Sequence, residues 1–179
     1  MSRKSIEAMV DTNVLVYAVR GVLASDKRET QQMCRASALL LKRLRRIWVS
    51  SVAWSEYLAL TPAQNLTKLM TLGKRLQIES LDRGSVELAT ELMVKYRPRA
   101  KLCLHCGQSQ KAIKCPRCAL VGNEILSRND AYIVATAHQV GALTLYTFDG
   151  GPKGFQKGVS CSIEDPEHAD GPLFAPGKV

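Results

Sequence analysis

The stretch Met9-Val10-Asp11-Thr12-Asn13-Val14-Leu15-Val16-Tyr17 decides the fold. Glu7 to Val10 is an apolar strand, extendable through Val16, that delivers Asp11 near its C-terminal end. No other charged side chain stands between Glu7 and Arg20. A carboxylate among such neighbours is costly to bury unless something pairs with it.

Three further acids share this isolation. Glu56 is the only charged residue from Ile47 to Thr67, within Ser51-Val52-Ala53-Trp54-Ser55-Glu56. Asp130 opens Asp130-Ala131-Tyr132-Ile133-Val134-Ala135-Thr136-Ala137, and Asp149 closes Leu143-Thr144-Leu145-Tyr146-Thr147-Phe148. Each has a structural reading of its own. Asp130 ends a capping box, Ser127-Arg128-Asn129-Asp130; Asp149 precedes the turn Gly150-Gly151-Pro152; Asp11 starts an Asx-turn; Glu56 faces solvent from a helix. Together they point to a shared divalent cation. Three of the four fall at a strand end or helix start, where open α/β sheets build their sites.

Working outward, strand and helix patterns alternate. Asp26-Lys27-Arg28-Glu29 has capping-box spacing and opens a helix through Arg46. Ile47 to Ser50 is a short strand, and Ser51 starts a helix carrying Glu56, stopped at Thr61-Pro62. Gln64 to Leu76 reads as a helix and Ile78 to Leu81 as a strand. Ser85 to Arg97 is an amphipathic helix with Val86, Ala89, Met93 and Tyr96 as its core stripe. A helix from Asn129 to Val140, with Gly141 after it, precedes the strand Leu143 to Phe148. A short strand is expected around Val159. The pattern predicts an α/β domain with a mainly parallel sheet flanked by helices. Its expected extent is residues 1–97 and 128–162, with 98–127 inserted and 163–179 a flexible tail.

The chain has 179 residues, 46% hydrophobic and 23% charged, which fits one globular domain with an embellishment. No apolar run reaches the ~20 residues of a membrane span, and no signal-peptide core follows Met1, so a cytoplasmic protein is expected. Net charge is +9, which favours an anionic partner, nucleic acid above all. Basic residues cluster at Lys42-Arg43-Leu44-Arg45-Arg46 and around the cysteines, at Arg99, Lys101, Lys111, Lys114 and Arg117. Arg43 and Arg46 equally suit a helix C-terminus, whose dipole favours cations.

Cys103-Leu104-His105-Cys106 and Cys115-Pro116-Arg117-Cys118 form a CxxC-x8-CxxC pattern. Four thiolates in paired turns make a tetrahedral Zn²⁺ shell with no open position, hence a structural zinc ribbon. Cys34 reads as a buried thiol and Cys161 as a surface one.

These residues resemble the PIN domain, the nuclease family that includes VapC-type toxins. Asp11 to Ala18 is similar to its opening strand and first acid, and Ser51 to Glu56 to the segment with its glutamate. Asn129 to Ala137 is similar to the helix with its third acid, and Gly141 to Asp149 to the last strand with its Thr-x-Asp. The likeness covers residues 5–97 and 128–160. It implies a parallel sheet of about four or five strands and Mg²⁺- or Mn²⁺-dependent hydrolysis of single-stranded RNA or DNA. The cysteine insertion departs from compact PIN toxins; ribosome-maturation nucleases of the family also carry a zinc ribbon.

Phosphodiester hydrolysis needs phosphate charge neutralised and a water activated, which suits Asp11 and Asp149 as direct ligands and Asp130 directly or through water. Glu56 would ligate through water or orient the nucleophile, and Asn13 and Thr147 would support the acids or contact phosphate. The leading expectation is a metal-dependent endoribonuclease, either a VapC-type toxin or an RNA-processing enzyme, with RNA, an antitoxin protein and a second copy as candidate partners. The alternative is a non-catalytic zinc-ribbon adaptor on a PIN scaffold.

Overall fold

A computed structural model describes residues 6–96, 101–102, 109–110 and 125–166. Strand β1, Ile6–Val10, gives way at once to helix α1, Thr12–Arg20. The strand cannot run on to Val16, because the Asp11 side chain caps α1 by accepting from the Thr12 N–H. Helix α1 ends at Gly21, whose φ of 75° lies in the region open to a residue without Cβ. Helix α2 is Arg28–Arg43, preceded by Lys27, which makes no side-chain cap. Asp26, expected to cap it, is engaged by Arg20 and by the Leu23 N–H.

Strand β2, Ile47–Ser50, leads into α3, Ser51–Leu60. Helix α4, Ala63–Met70, stops short of its expected end; a 3₁₀ turn at Gly73–Arg75 intervenes, and β3 begins at Leu76 and ends at Glu79. Helix α5 is Arg83–Tyr96. Its buried side is Ser85, Ala89 and Leu92, with Met93 and Tyr96 packed beside them, whereas Val86 turns outward at 39% exposure.

Two short strands, β4 (Lys101–Leu102) and β5 (Ser109–Gln110), pair antiparallel apart from the main sheet. They flank Cys103 and Cys106 in the sequence. All four cysteines of the expected ribbon lie outside the described residues, as do Arg99, Lys111, Lys114 and Arg117; Lys101 is described only as backbone.

Helix α6, Ile125–Gln139, is followed by β6 (Ala142–Tyr146), α7 (Gly150–Lys153), a 3₁₀ turn at Gln156–Gly158 and β7 (Ser162–Glu164). Strand β7 lies three residues beyond the expected Val159, so the fold continues into the stretch where a loose tail was expected to begin. Ile163 is buried in it, and Cys161, expected at the surface, is buried too.

The main sheet has the order β3-β2-β1-β6-β7, every pair parallel, and is flanked by the helices. Strand β1 is central; Ala8, Met9 and Val10 are at most 1% exposed. A strand covered on both faces reads as a near-continuous apolar run, and Glu7 near its start is the one exposed exception among its described side chains. From β1 the chain crosses toward β2, and from β6 it crosses toward β7. Their crossovers part between β1 and β6, opening a crevice beyond the strands' C-terminal ends. Among the described residues no helix is long and apolar enough to cross a membrane.

Candidate active site

Register places the first acid. Val10 pairs with Tyr146, so the next residues, Asp11 and Thr147, emerge side by side at the switch point, with the Asp11 N–H donating to the Tyr146 carbonyl at 3.0 Å. The Asp11 carboxylate is buried, 4% exposed, and receives three donors. Its Oδ1 accepts from the Thr12 N–H at 2.6 Å, and its Oδ2 from the Thr147 hydroxyl at 2.7 Å and the Asn13 amide at 3.1 Å. The Thr147 hydroxyl in turn accepts from Asn13 Nδ2 and from the Asp149 N–H, both at 3.0 Å. Asn13 Oδ1 accepts from the Phe148 N–H at 3.2 Å. One hydroxyl and one amide thus tie the start of α1 to the turn after β6.

Glu56, on the second turn of α3, is held from two other helices. The Thr12 hydroxyl donates to its Oε2 at 2.7 Å, and the Asn129 amide to its Oε1 at 2.5 Å. Sequence reasoning singled out neither Thr12 nor Asn129 as a site residue. Each adjoins an acid in the chain, Asp11 and Asp130, yet each serves the glutamate of a different element; adjacency flags them, and only packing assigns them.

Asp130 and Asp149 are held differently. Helix α6 begins at Ile125, so Asp130 sits on its second turn and caps nothing. Among the described residues no donor reaches its carboxylate. Asp149 caps α7, its Oδ1 accepting from the Gly151 N–H at 3.2 Å, and is otherwise exposed. Gly151 lies against Asp130 so closely that a Cβ there would fall 2.0 Å from Oδ2.

The four acids act on one another. Burial, and then the charges of Asp149, Asp11 and Glu56, push the Asp130 carboxyl up to about 8. Burial pushes Asp11 up to about 6, against the lowering effect of its bonds from Thr147 and Thr12, with Glu56 and Asp149 adding to the rise. Among the described residues no three or more His, Cys, Asp or Glu side chains are grouped closely enough to hold a metal ion by themselves. Mg²⁺ needs no such group, since it takes one or two carboxylates and keeps several waters. The donors are all oxygen, and the mutual repulsion of the acids is what a hard cation relieves, so the residues fit one.

Of the expected basic contacts, only Arg43 and Arg46 have described side chains, and these are not gathered here. Arg43 ends α2, and Arg45 and Arg46 precede β2, so these exposed side chains stand at the opposite end of the sheet from the acids.

A sequence profile of the PIN domain matches residues 8–157, and the chain belongs to that family. No curated protein matches it significantly. Among solved structures it is similar to VapBC2 from Rickettsia felis bound to a promoter DNA fragment, at 21% identity and a TM-score of 0.51, covering 89% of this chain and 98% of that one. It is also similar to DNA-bound VapBC from Salmonella typhimurium, at 16% identity and a TM-score of 0.51, covering 90% and 98%. VapBC-1 from nontypeable Haemophilus influenzae matches at 15% identity and a TM-score of 0.51, covering 90% and 99%.

Proposed function

We propose that this PIN domain protein is a divalent-cation-dependent endonuclease that hydrolyses phosphodiester bonds of single-stranded RNA. One observation supports the reading: four carboxylates, from four separate stretches of chain, feel one another's charge around the switch point, in a field that keeps two of them reluctant to ionise. A purely structural site has no use for that repulsion.

The chemistry a Mg²⁺ or Mn²⁺ ion supplies when bound is neutralisation of phosphate charge and a water of lowered pKa. Asp11, fixed by Thr12, Thr147 and Asn13, presents its remaining lone-pair capacity in one orientation. Asp149 and Asp130 keep most of theirs, which suits them as ligands to the same ion. Glu56, braced by Thr12 and Asn129, would accept a proton from the attacking water or orient it. The +9 net charge favours the polyanion.

The purified chain is expected to cut single-stranded RNA with Mn²⁺ and to stop on chelation. Full activity in Asp11→Asn, Asp130→Asn and Asp149→Asn would overturn the reading. Because the similar structures are VapBC complexes, the proposed partner is an antitoxin-type protein. Growth arrest on expression, relieved by a co-expressed neighbouring gene, separates a toxin from an RNA-processing enzyme.

For Cys103, Cys106, Cys115 and Cys118 we propose one structural Zn²⁺, supported by the pairing of β4 with β5 on either side of the first CxxC. Metal analysis should find one zinc per chain, lost in Cys115→Ser while the nuclease core still melts cooperatively.

A further inference from the structure

Two glycines follow Asp149 side by side, and their surroundings differ. A Cβ built on Gly150 meets nothing within 4 Å, whereas one on Gly151 falls 2.0 Å from Asp130 Oδ2 and 2.8 Å from its Cγ. Gly151 does not have the positive φ seen at Gly21, Gly73 and Gly141. Its backbone therefore suits any residue, and what excludes a side chain is the Asp130 carboxylate alone.

Asp130 also lacks the restraint that its partner acids have. Asp11 receives three donors and Glu56 two, but no donor reaches Asp130 among the described residues. Its position is therefore set by packing, and Gly151 is the surface on which any side chain would strike it. We propose that Gly151 is a positioning residue for the metal site: the missing side chain makes the pocket that lets the Asp130 carboxylate lie beside Asp149 and Asp11. The proposal rests on the cation-dependent reading above and extends it to the turn that carries the last acid.

The physical consequence is specific. Real Cβ contacts essentially never fall below 3.0 Å, so a methyl group at 151 drives Oδ2 away by about 1 Å, a misplacement that costs on the order of a hundredfold in a catalytic constellation. The obstacle is the tip of a flexible side chain, not backbone. The fold tolerates the methyl while the carboxylate moves.

The test is a double-mutant cycle on the full chain. Mn²⁺ affinity is measured by titration calorimetry, RNA cleavage by kcat, and thermal stability without metal by melting. Gly150→Ala should match wild type within about twofold, while Gly151→Ala should weaken Mn²⁺ binding at least about tenfold and lower kcat by about a hundredfold. In an Asp130→Ala background, where the methyl has room, adding Gly151→Ala should change neither Mn²⁺ affinity nor melting temperature. Wild-type Mn²⁺ affinity in Gly151→Ala, or an equal loss in both backgrounds, would overturn the proposal and leave the metal site standing. A wild-type chain that binds no Mn²⁺ would overturn both. Should Gly151→Ala fold poorly, the melting arm decides: recovery in the Asp130→Ala background supports the contact, and no recovery refutes it.

Discussion

The two ends of one parallel sheet carry opposite charge and handle it in opposite ways. At the C-terminal end Asp11 is buried and Asp130 half-buried, and both are pushed toward protonation by burial and by neighbouring acids, Glu56 and Asp149 acting on each. At the N-terminal end of β2, Arg43, Arg45 and Arg46 lie exposed beside the C-terminal end of α2, whose dipole favours cations. There Arg75, from the 3₁₀ turn before β3, reaches back to the carbonyls of Leu41 and Leu44 that α2 leaves open. The sequence offers both a basic run and a set of isolated acids, and only one of them demands an explanation. Cost separates them, since a solvated cation at a helix end needs no function to explain it and a crowded, desolvated acid does.

The strongest challenge to this contrast is a matched set of substitutions. Asp11→Asn, Asp130→Asn and Asp149→Asn should each lower kcat by two or more orders of magnitude, roughly what loss of one charge-stabilising group costs. Arg45→Ala and Arg46→Ala should leave cleavage of a short oligonucleotide within about threefold. Comparable losses at both ends would dissolve the distinction.

Thr147→Val sharpens it from inside the site. The valine keeps the shape of the threonine but removes one donor to Asp11 and an acceptor used by Asn13 and the Asp149 N–H. The expected cost is about 1–3 kcal/mol of stability in urea unfolding, with cleavage at least about tenfold slower. Unaltered cleavage would mean that Asp11 is oriented without Thr147.

A third measurement uses the pH dependence of the metal-free chain. Asp130 titrates at about 8 in the fold against an ordinary 3.8, and Asp11 at about 6 against 3.8. Between these limits the folded chain holds protons that the unfolded chain has released. The stability gained from that uptake is complete below about pH 3.8 and is lost as pH rises through about 6 and then about 8. Melting temperature in chelator should therefore fall from pH 5 to pH 8.5, and Mn²⁺ should restore most of it at the alkaline end. Each pKa unit corresponds to roughly 1.4 kcal/mol, but solvent at the partly exposed Asp130 screens this, so a loss of a few kcal/mol at most is expected. A melting temperature rising with pH would contradict the crowded-acid picture.

The smallest effect belongs to the other end. Arg75→Met should cost about 1 kcal/mol or somewhat more through the uncapped carbonyls of α2 while leaving kcat unchanged. A selective loss of RNA binding there would move Arg43 and Arg46 back among the RNA contacts.

Much of this was legible in residue order. The apolar stretch Ala8 to Val10 identified a first strand leading to Asp11, because a strand end buried on both faces cannot hide its composition. The lone acids Asp11 and Asp149 marked where a strand gives way to a helix, whereas Glu56 and Asp130 lie inside helices; Asn13 and Thr147, each two residues from an acid, were found by proximity. Boundaries resting on local chemistry alone fared less well. Asp26 was expected to cap α2 but found Arg20 instead, and Ile163 was left outside a sheet whose last strand it occupies.

By itself, then, the sequence determined which side chains are too costly to bury without a purpose, because burial and charge are properties that neighbouring residues reveal. Which side chains serve which acid was decided only by tertiary structure. Thr12 and Asn129 reach Glu56 across 44 and 73 residues of chain, and Gly151 makes room for Asp130 across a turn and a strand. Such partnerships follow from strand register and helix packing, which bring together positions that no local pattern couples.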